Sequence, residues 1–447
     1  MQSVSPSIVP PMTPADLIID PFWPEGLLVH FKDRLVSNVR LHRACLESGL
    51  SKFILSKAFT GRSYSGEERK PEKWKPLYLD NFLPEESVKP LDRITGHKNL
   101  ADVVEALIGA SFQDGGMDKA LKCISVFLSD KCHWHEAGRG RDILFSSALD
   151  GVPLPSTLEP LEELIGYSFR KKSLLIEAVT HGSYAGDTHQ RSYEQLEFLG
   201  DAVLDYIIVT KVFNVKPPLH HSDLHLIKTA MVNGEFLAFV NLEHRMRRVE
   251  TNVNADGVTE DAVKTLALWQ FMRYTSPAIS NEQVRTVERF ETLRREIVDA
   301  IENGTHYPWT LLARFHPKKF YSDLFEALIG AVWVDSGSTE VCEGVLRRFG
   351  ILPYLERIIR DKVHIKHPKE ELSALAVDEK VEYYYRLLDG VEPEYVCQLK
   401  VGGRLVADVR GGLNKDEIMT RAAEKAVKFL NEEKRAAETG AEPMDLE

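Results

Sequence analysis

Two stretches of this chain repeat each other, and the repeat limits what the chain can fold into. "LADVVEALIGASFQDGG" (100–116) and "YSDLFEALIGAVWVDSG" (321–337) align without a gap at a constant offset of 221 residues. Asp102 falls on Asp323, Glu105 on Glu326, Asp114 on Asp335 and Gly116 on Gly337, and upstream Arg93 and Lys98 fall on Arg314 and Lys319. The fold must therefore accommodate one structural unit twice. In each copy an Asp and a Glu stand three apart in the otherwise apolar, small-residue run "EALIGA". That spacing puts both acids on one face of a helix suited to close packing. Carboxylates beside a packed helix are costly unless a cation neutralises them.

A second acidic helix precedes the later copy. In "SYEQLEFLGDAVLDYIIV" (192–209), Glu194, Glu197 and Asp201 share one face, while Leu196, Leu199, Val203 and Ile207 form an apolar stripe on another. On an arbitrary helix such an acidic face is simply solvated. Around it, "LEELIGYSFRKKSLLIEAVTH", "HLIKTAMVNGEFLAFVNLE" and a charged run at 283–303 keep helical periodicity with almost no strand signal, so the spacing predicts an all-helical domain over 158–355. If its two acidic helices cross, Glu197, Asp201, Asp323 and Glu326 converge. Such a set of hard oxygen ligands suits Mg²⁺ or Mn²⁺ and not zinc. Two such ions about 4 Å apart would serve phosphodiester hydrolysis.

The run "EQLEFLGDAVL" (194–204) resembles the signature of ribonuclease III, and "THGSY" (180–184) and "DLFEALIGAVWVDSG" (323–337) resemble that family's flanking motifs. The resemblance implies that Glu197, Asp201, Asp323 and Glu326 are the metal ligands, with Glu194 a supporting acid in a catalytic set of all five. It implies a divalent-metal-dependent endoribonuclease acting on double-stranded RNA. Two such units followed by a small tail resemble the C-terminal half of the fungal Dicer-like ribonucleases. That implies processing into small RNAs in RNA silencing and antiviral defence. Nothing in the chain resembles the helicase or end-binding regions expected upstream in that family.

The first copy, over 25–135, departs from the pattern. Asn233 of "MVNGEFL" lies 32 residues after Asp201, and its counterpart Asn38 in "LVSNVRL" would put the matching acid near residue 6. The residues there, "MQSVSPSIVPPMTPADLIIDPFW", are rich in Pro and Ser, contain no ExxEFxGD pattern and cannot form one continuous helix. This copy is expected to be N-terminally truncated after an unmatched segment 1–24, with Asp102 and Glu105 as a residual half-site. A basic loop with Trp74 and Tyr78 interleaved, "GRSYSGEERKPEKWKPLYLD", is a secondary candidate for RNA contact. A homodimer, or a complementing ribonuclease III domain, would supply a second site.

After a linker at 136–157 and the second domain, periodicity changes beyond Pro368. "PKEELSALA" reads as a helix; "EYYYRLL", "EYVCQLKV" and "RLVADVR" alternate as strands with a Gly402-Gly403 turn; and Asn414 caps a final helix with Glu417 at the capping-box position. The order αβββα over 364–431 resembles a double-stranded RNA-binding domain, which reads A-form shape and phosphates. Lys415, Arg421 and Lys425 are the RNA-binding candidates, although Asp416 and Glu417 follow where that family carries a second lysine. The end, 432–447, reads as a disordered tail.

The expected fold class is therefore mainly α, with two helical domains and a small α+β domain. Five scattered cysteines argue against a disulfide framework, and no apolar run is long enough for a membrane span. A cytoplasmic protein is expected, with a nuclear location as the alternative. Cys132, His133 and His135 have no second ligand cluster at zinc-site spacing. A net charge of −11 speaks against a general nucleic-acid coat while leaving room for local basic surfaces. The competing function is a catalytically impaired RNA-binding or regulatory fragment.

Overall fold

The computed structural model describes residues 25–54, 97–128, 139–186, 191–253, 259–388 and 394–439. The chain parts between Ser147 and Ala148 into two compact units. The basic loop with Trp74 and Tyr78, the Cys132–His135 cluster and segment 1–24 lie outside the described residues.

The first unit contains α1 (Glu25–Leu35), α2 (Asn38–Glu47), α3 (His97–Leu128) and α4 (Arg139–Ser147). Ser37 starts α2 by accepting from the Arg40 backbone N–H at 3.3 Å. Leu41 and Cys45 of α2 pack on Leu100, Ala101 and Val104 of α3. Gly115 and Gly116 break α3, the latter at φ 69°, a backbone region open to glycine at little cost. Within the linker expected at 136–157, residues 139–147 form α4 and those from 148 onward form no helix or strand.

The second unit begins with α5 (Glu159–Ile165), α6 (Lys172–Ala178), α7 (Glu194–Phe213), α8 (His221–Met231) and α9 (Gly234–Glu243). It continues with α10 (Pro277–Asn303), α11 (Trp309–Phe315), α12 (Phe320–Ser336), α13 (Thr339–Arg348) and α14 (Ile351–Asp361). The domain end expected at 355 thus falls inside α14. Helix α12 is the axle of the unit, buried without a break from Tyr321 to Val332. It reaches that depth because it crosses α7 at two glycines. A Cβ on Gly200 would overlap the Glu326 carbonyl oxygen, and one on Gly330 would overlap that of Leu196. Asn241 of α9 donates to the Tyr321 carbonyl at 2.7 Å and fixes the start of α12.

One feature departs from the all-helical expectation for this domain. Strands β1 (Arg245–Val253) and β2 (Thr259–Ala267) pair antiparallel, with Val249 opposite Val263. Those valines are 60% and 66% exposed, so the hairpin buries no apolar face at that level. The alternation by which strands are recognised in a sequence is therefore missing.

The tail follows its expected order: α15 (Pro368–Leu375), β3 (Val381–Leu388), β4 (Glu394–Val401), β5 (Arg404–Gly412) and α16 (Lys415–Thr439). The strands form one antiparallel sheet in the order β3-β4-β5, turned at Gly402 and Gly403 with φ of 57° and 82°. Leu372, Leu399, Val406, Ile418, Ala422 and Ala426 make its core. Asn414 Oδ1 accepts from the N–H groups of Asp416 and Glu417 at 2.8 and 3.0 Å. The return arm of the expected box lands one residue earlier, with Glu417 Oε2 accepting from the Leu413 N–H at 3.0 Å. Helix α16 runs on to Thr439, so the disordered reading of 432–447 fails for its first half. Charged and alanine-rich residues there are good helix formers once the preceding turns are anchored, and Glu433 pairs with Arg404 of the sheet.

Candidate metal centre

The crossing of α7 and α12 decides where the acids go. With the backbones in contact at Gly200 and Gly330, side chains one turn away are driven into the same space. Glu197, Asp323 and Glu326 each offer a carboxylate oxygen, and these atoms all lie within 4.8 Å of one another. Their residues are only 7%, 9% and 9% exposed. Three carboxylates this close and this dry repel one another, and the effect is visible in Glu326. Burial first, and then the charges of Asp323, Asp201 and Glu197, push its carboxyl up to about 8 against the opposing pull of Lys319.

Lys319 is the protein's own partial answer to that charge. Its Nζ donates to Glu197 Oε1 at 3.0 Å and lies 2.9 Å from Asp323 Oδ1, bridging the two acidic helices. Burial alone would lower its pKa, but the bonds to Asp323 and Glu197 outweigh that and raise it. One ammonium against this many carboxylates leaves the cluster acidic. An all-oxygen set of that kind fits a hard divalent cation, Mg²⁺ or Mn²⁺, and excludes a thiolate-type zinc site.

Of the other expected site residues, Asp201 lies close enough to act on the Glu326 carboxyl but outside the group of three. Glu194 takes a different position. Its Oε1 would stand 3.0 Å from a Cβ at Gly182, which places it against the "THGSY" loop. His181 in that loop is lowered by burial, with the Glu194 charge opposing. The loop is held by paired backbone bonds, Arg273 N–H to the Val179 carbonyl at 2.7 Å and His181 N–H to the Arg273 carbonyl at 2.9 Å.

The first copy provides the contrast. Lys98 pairs with Asp102 at 2.9 Å, matching the contact of Lys319 with Asp323. There the likeness stops. Glu105, Ala106, Leu107, Gly109 and Ala110 are exposed, whereas their counterparts in α12 are buried. A Cβ on Gly109 would meet nothing within 4 Å. Among the described residues, Asp102 and Glu105 join no metal-ligating cluster.

The tail candidates separate. Lys415 Nζ lies 4.5 Å from the centre of the Tyr385 ring on β3, while Arg421 and Lys425 line a groove against α11. Sequence reading therefore grouped three cations that the structure divides between two places. It also assigned no role to Lys319, although the repeat carried the signal: a lysine four residues before the Asp in both copies.

A profile of the ribonuclease III domain matches residues 15–116 and 194–337, and one of the double-stranded-RNA-binding domain of Dicer-like protein 2 matches 361–445. The chain is 42% identical over 431 residues to a Dicer-like protein 2 of Cryphonectria parasitica, covering 91% of this chain and 29% of that protein. It is 42% identical over 438 residues to a Dicer-like protein 2 of Pyricularia oryzae, covering 92% of this chain and 28% of that one. The chain thus spans under a third of the length of these relatives. A solved nuclease domain of ribonuclease III from Campylobacter jejuni aligns at 23% identity and a TM-score of 0.28, covering 43% of this chain and 96% of its own.

Proposed function

Because this chain belongs to the ribonuclease III family, with tandem ribonuclease III domains and a tail of the double-stranded-RNA-binding type, we propose that it hydrolyses phosphodiesters of double-stranded RNA. The observation that carries this reading is the convergence of Glu197, Asp323 and Glu326 where α7 crosses α12. Bound there, a divalent cation supplies Lewis acidity at a phosphodiester. Glu197, Asp323 and Glu326 would hold it, with Asp201 adding negative field from the next turn of α7. Lys319 keeps the carboxylates of Glu197 and Asp323 oriented toward each other. Glu194, beside Gly182 of the "THGSY" loop, would orient substrate or water next to the cluster.

The biological process in keeping with this reading is Dicer-like conversion of duplex RNA into small RNAs, in RNA silencing and antiviral defence; the relatives in the comparison carry the name Dicer-like protein 2. Partner chemistry follows from α7. Tyr206, Val209 and Phe213 are 37%, 48% and 48% exposed and recur every three or four residues. This partly exposed apolar stripe suits a second copy of the chain or a complementing ribonuclease III domain. Cys45, Cys123, Cys342 and Cys397 are free thiols, which suits a reducing compartment, the cytoplasm or the nucleus. No helix among the described residues is long and apolar enough to cross a membrane.

The first-copy acids, Asp102 half-buried and Glu105 exposed and neither in a cluster among the described residues, favour one second reading, an RNA-binding fragment without turnover. Incubating purified chain with labelled duplex RNA and Mg²⁺ separates the two. Duplex cleavage lost in Glu197→Gln supports the enzyme; binding without any cleavage by the unaltered chain supports the fragment.

A further inference from the structure

The second unit carries a groove of about 760 Å³ between α11 and the connection to α15 on one side and α16 on the other. Cations from three parts of the chain line it: Arg314 of α11, Lys366 of the connection, and Arg421, Lys425 and Lys428 of α16. Among the described residues two carboxylates line the groove with them, each engaged there, and a third, Glu417, stands against Arg421. Glu371 accepts from His364 Nε2 at 2.9 Å, and Glu424 pairs with Lys428 at 3.2 Å. Arg421 is oriented by the Gly411 carbonyl and Glu417 Oε1, both at 3.2 Å. A surplus of positive charge is thus concentrated here in a chain whose net charge is −11.

Rings accompany the charge. His306 and His364 meet edge to face at the rim with centroids 5.1 Å apart, over a floor that includes Trp309, 9% exposed. A basic trough with rings at its edge is the arrangement that binds single-stranded nucleic acid, holding the backbone by charge and the bases by their faces. Its volume lies in the range of about 300–1,000 Å³ that encloses small ligands, which admits a few nucleotides of one strand and not a duplex. We propose that this groove binds a short unpaired RNA strand through its phosphates, at a site separate from the acidic cluster. The inference rests on the reading of the chain as a protein that handles RNA, and it gives Arg421 and Lys425 a partner other than the duplex face.

The test is fluorescence anisotropy of the full chain in EDTA with a labelled oligouridylate of about ten nucleotides, a length within the usual site sizes. Lys366→Ala and Lys428→Ala are each expected to weaken binding about threefold to tenfold and to reduce the salt slope by about 0.7. Lys428 sits on the exposed side of α16, so its variant keeps the fold. Parent affinity in the Lys366→Ala/Lys428→Ala double variant would overturn the proposal. So would displacement of the strand by tripolyphosphate or by an oligoglutamate at the strand's own half-saturating concentration, because either result would mean that the groove selects charge alone. Duplex hydrolysis by the unaltered chain in Mg²⁺ is read separately. Strand binding without hydrolysis rejects the proposed activity and leaves the groove, whereas hydrolysis without strand binding rejects the groove alone.

Discussion

Glu326→Gln should make the metal-free protein more stable as well as inactive, and the gain should grow with pH. The carboxyl of Glu326 is raised from 4.5 to about 8 by burial and by its acidic neighbours. Between those two values the folded chain holds a proton that the unfolded chain releases. Folded stability due to this group is therefore complete below pH 4.5 and declines as pH rises through 8. At about 1.36 kcal/mol per unit of pKa, the cost relative to a group that never ionises is ~1 kcal/mol at pH 5.5 and ~4 kcal/mol at pH 8. Glutamine keeps the shape and never ionises, so it removes that cost. In EDTA, the variant's thermal midpoint should exceed the parent's by a few degrees at pH 5.5 and by roughly 8–16 °C at pH 8, taking 2–4 °C per kcal/mol for a unit of this size. Adding Mg²⁺ should narrow the gap, because the parent gains binding energy that the variant has largely lost. Thermal unfolding followed by circular dichroism at the two pH values reads all of this. A gap that stays flat with pH, or a variant less stable than the parent at pH 8 in EDTA, would refute the claim that the three acids are crowded without a cation.

Further outcomes follow from the same geometry. Gly330→Ala drives a methyl into the Leu196 carbonyl and should lower unfolding free energy by about 1–3 kcal/mol or more; Gly109→Ala, at the matching position with open space around it, should be neutral or stabilising by up to about 1 kcal/mol. Unfolding curves of the two variants compare them directly. With one acid cluster among the described residues, a monomer should nick one strand of a duplex, and duplexes labelled on each strand, with mass measured in parallel, test this; efficient cutting of both strands by a proven monomer would contradict it. Val209→Glu, which charges the partly exposed stripe on α7, should abolish any self-association seen by sedimentation while leaving the acid cluster intact. Calcium should bind the cluster without supporting cleavage, because its loose coordination positions reactants poorly.

What was legible in the sequence, and what was not, divides by how each feature is encoded. The acids of α7 and α12 were legible because helical spacing fixes which side chains share a face, and the repeat tied one pair to a unit found twice. The αβββα tail was legible because its strands alternate over a real core and its turn needs two glycines at positive φ. The hairpin at 245–267 was not, since its central valines face solvent and leave no apolar period. The continuation of α16 past 431 was hidden for the opposite reason: composition alone suggested disorder, while anchoring by Arg404 to Glu433 is a long-range contact that no local window contains. Lys319 stands between these cases. Its position four residues before Asp323 could be read, but its reach to Glu197, 122 residues away in sequence, needed the helix crossing. The crossing in turn rests on Gly200 and Gly330, which in the sequence were two small residues among many. The chemistry of the acids is therefore written locally, while the crowding that makes them a cation site depends on two absent side chains.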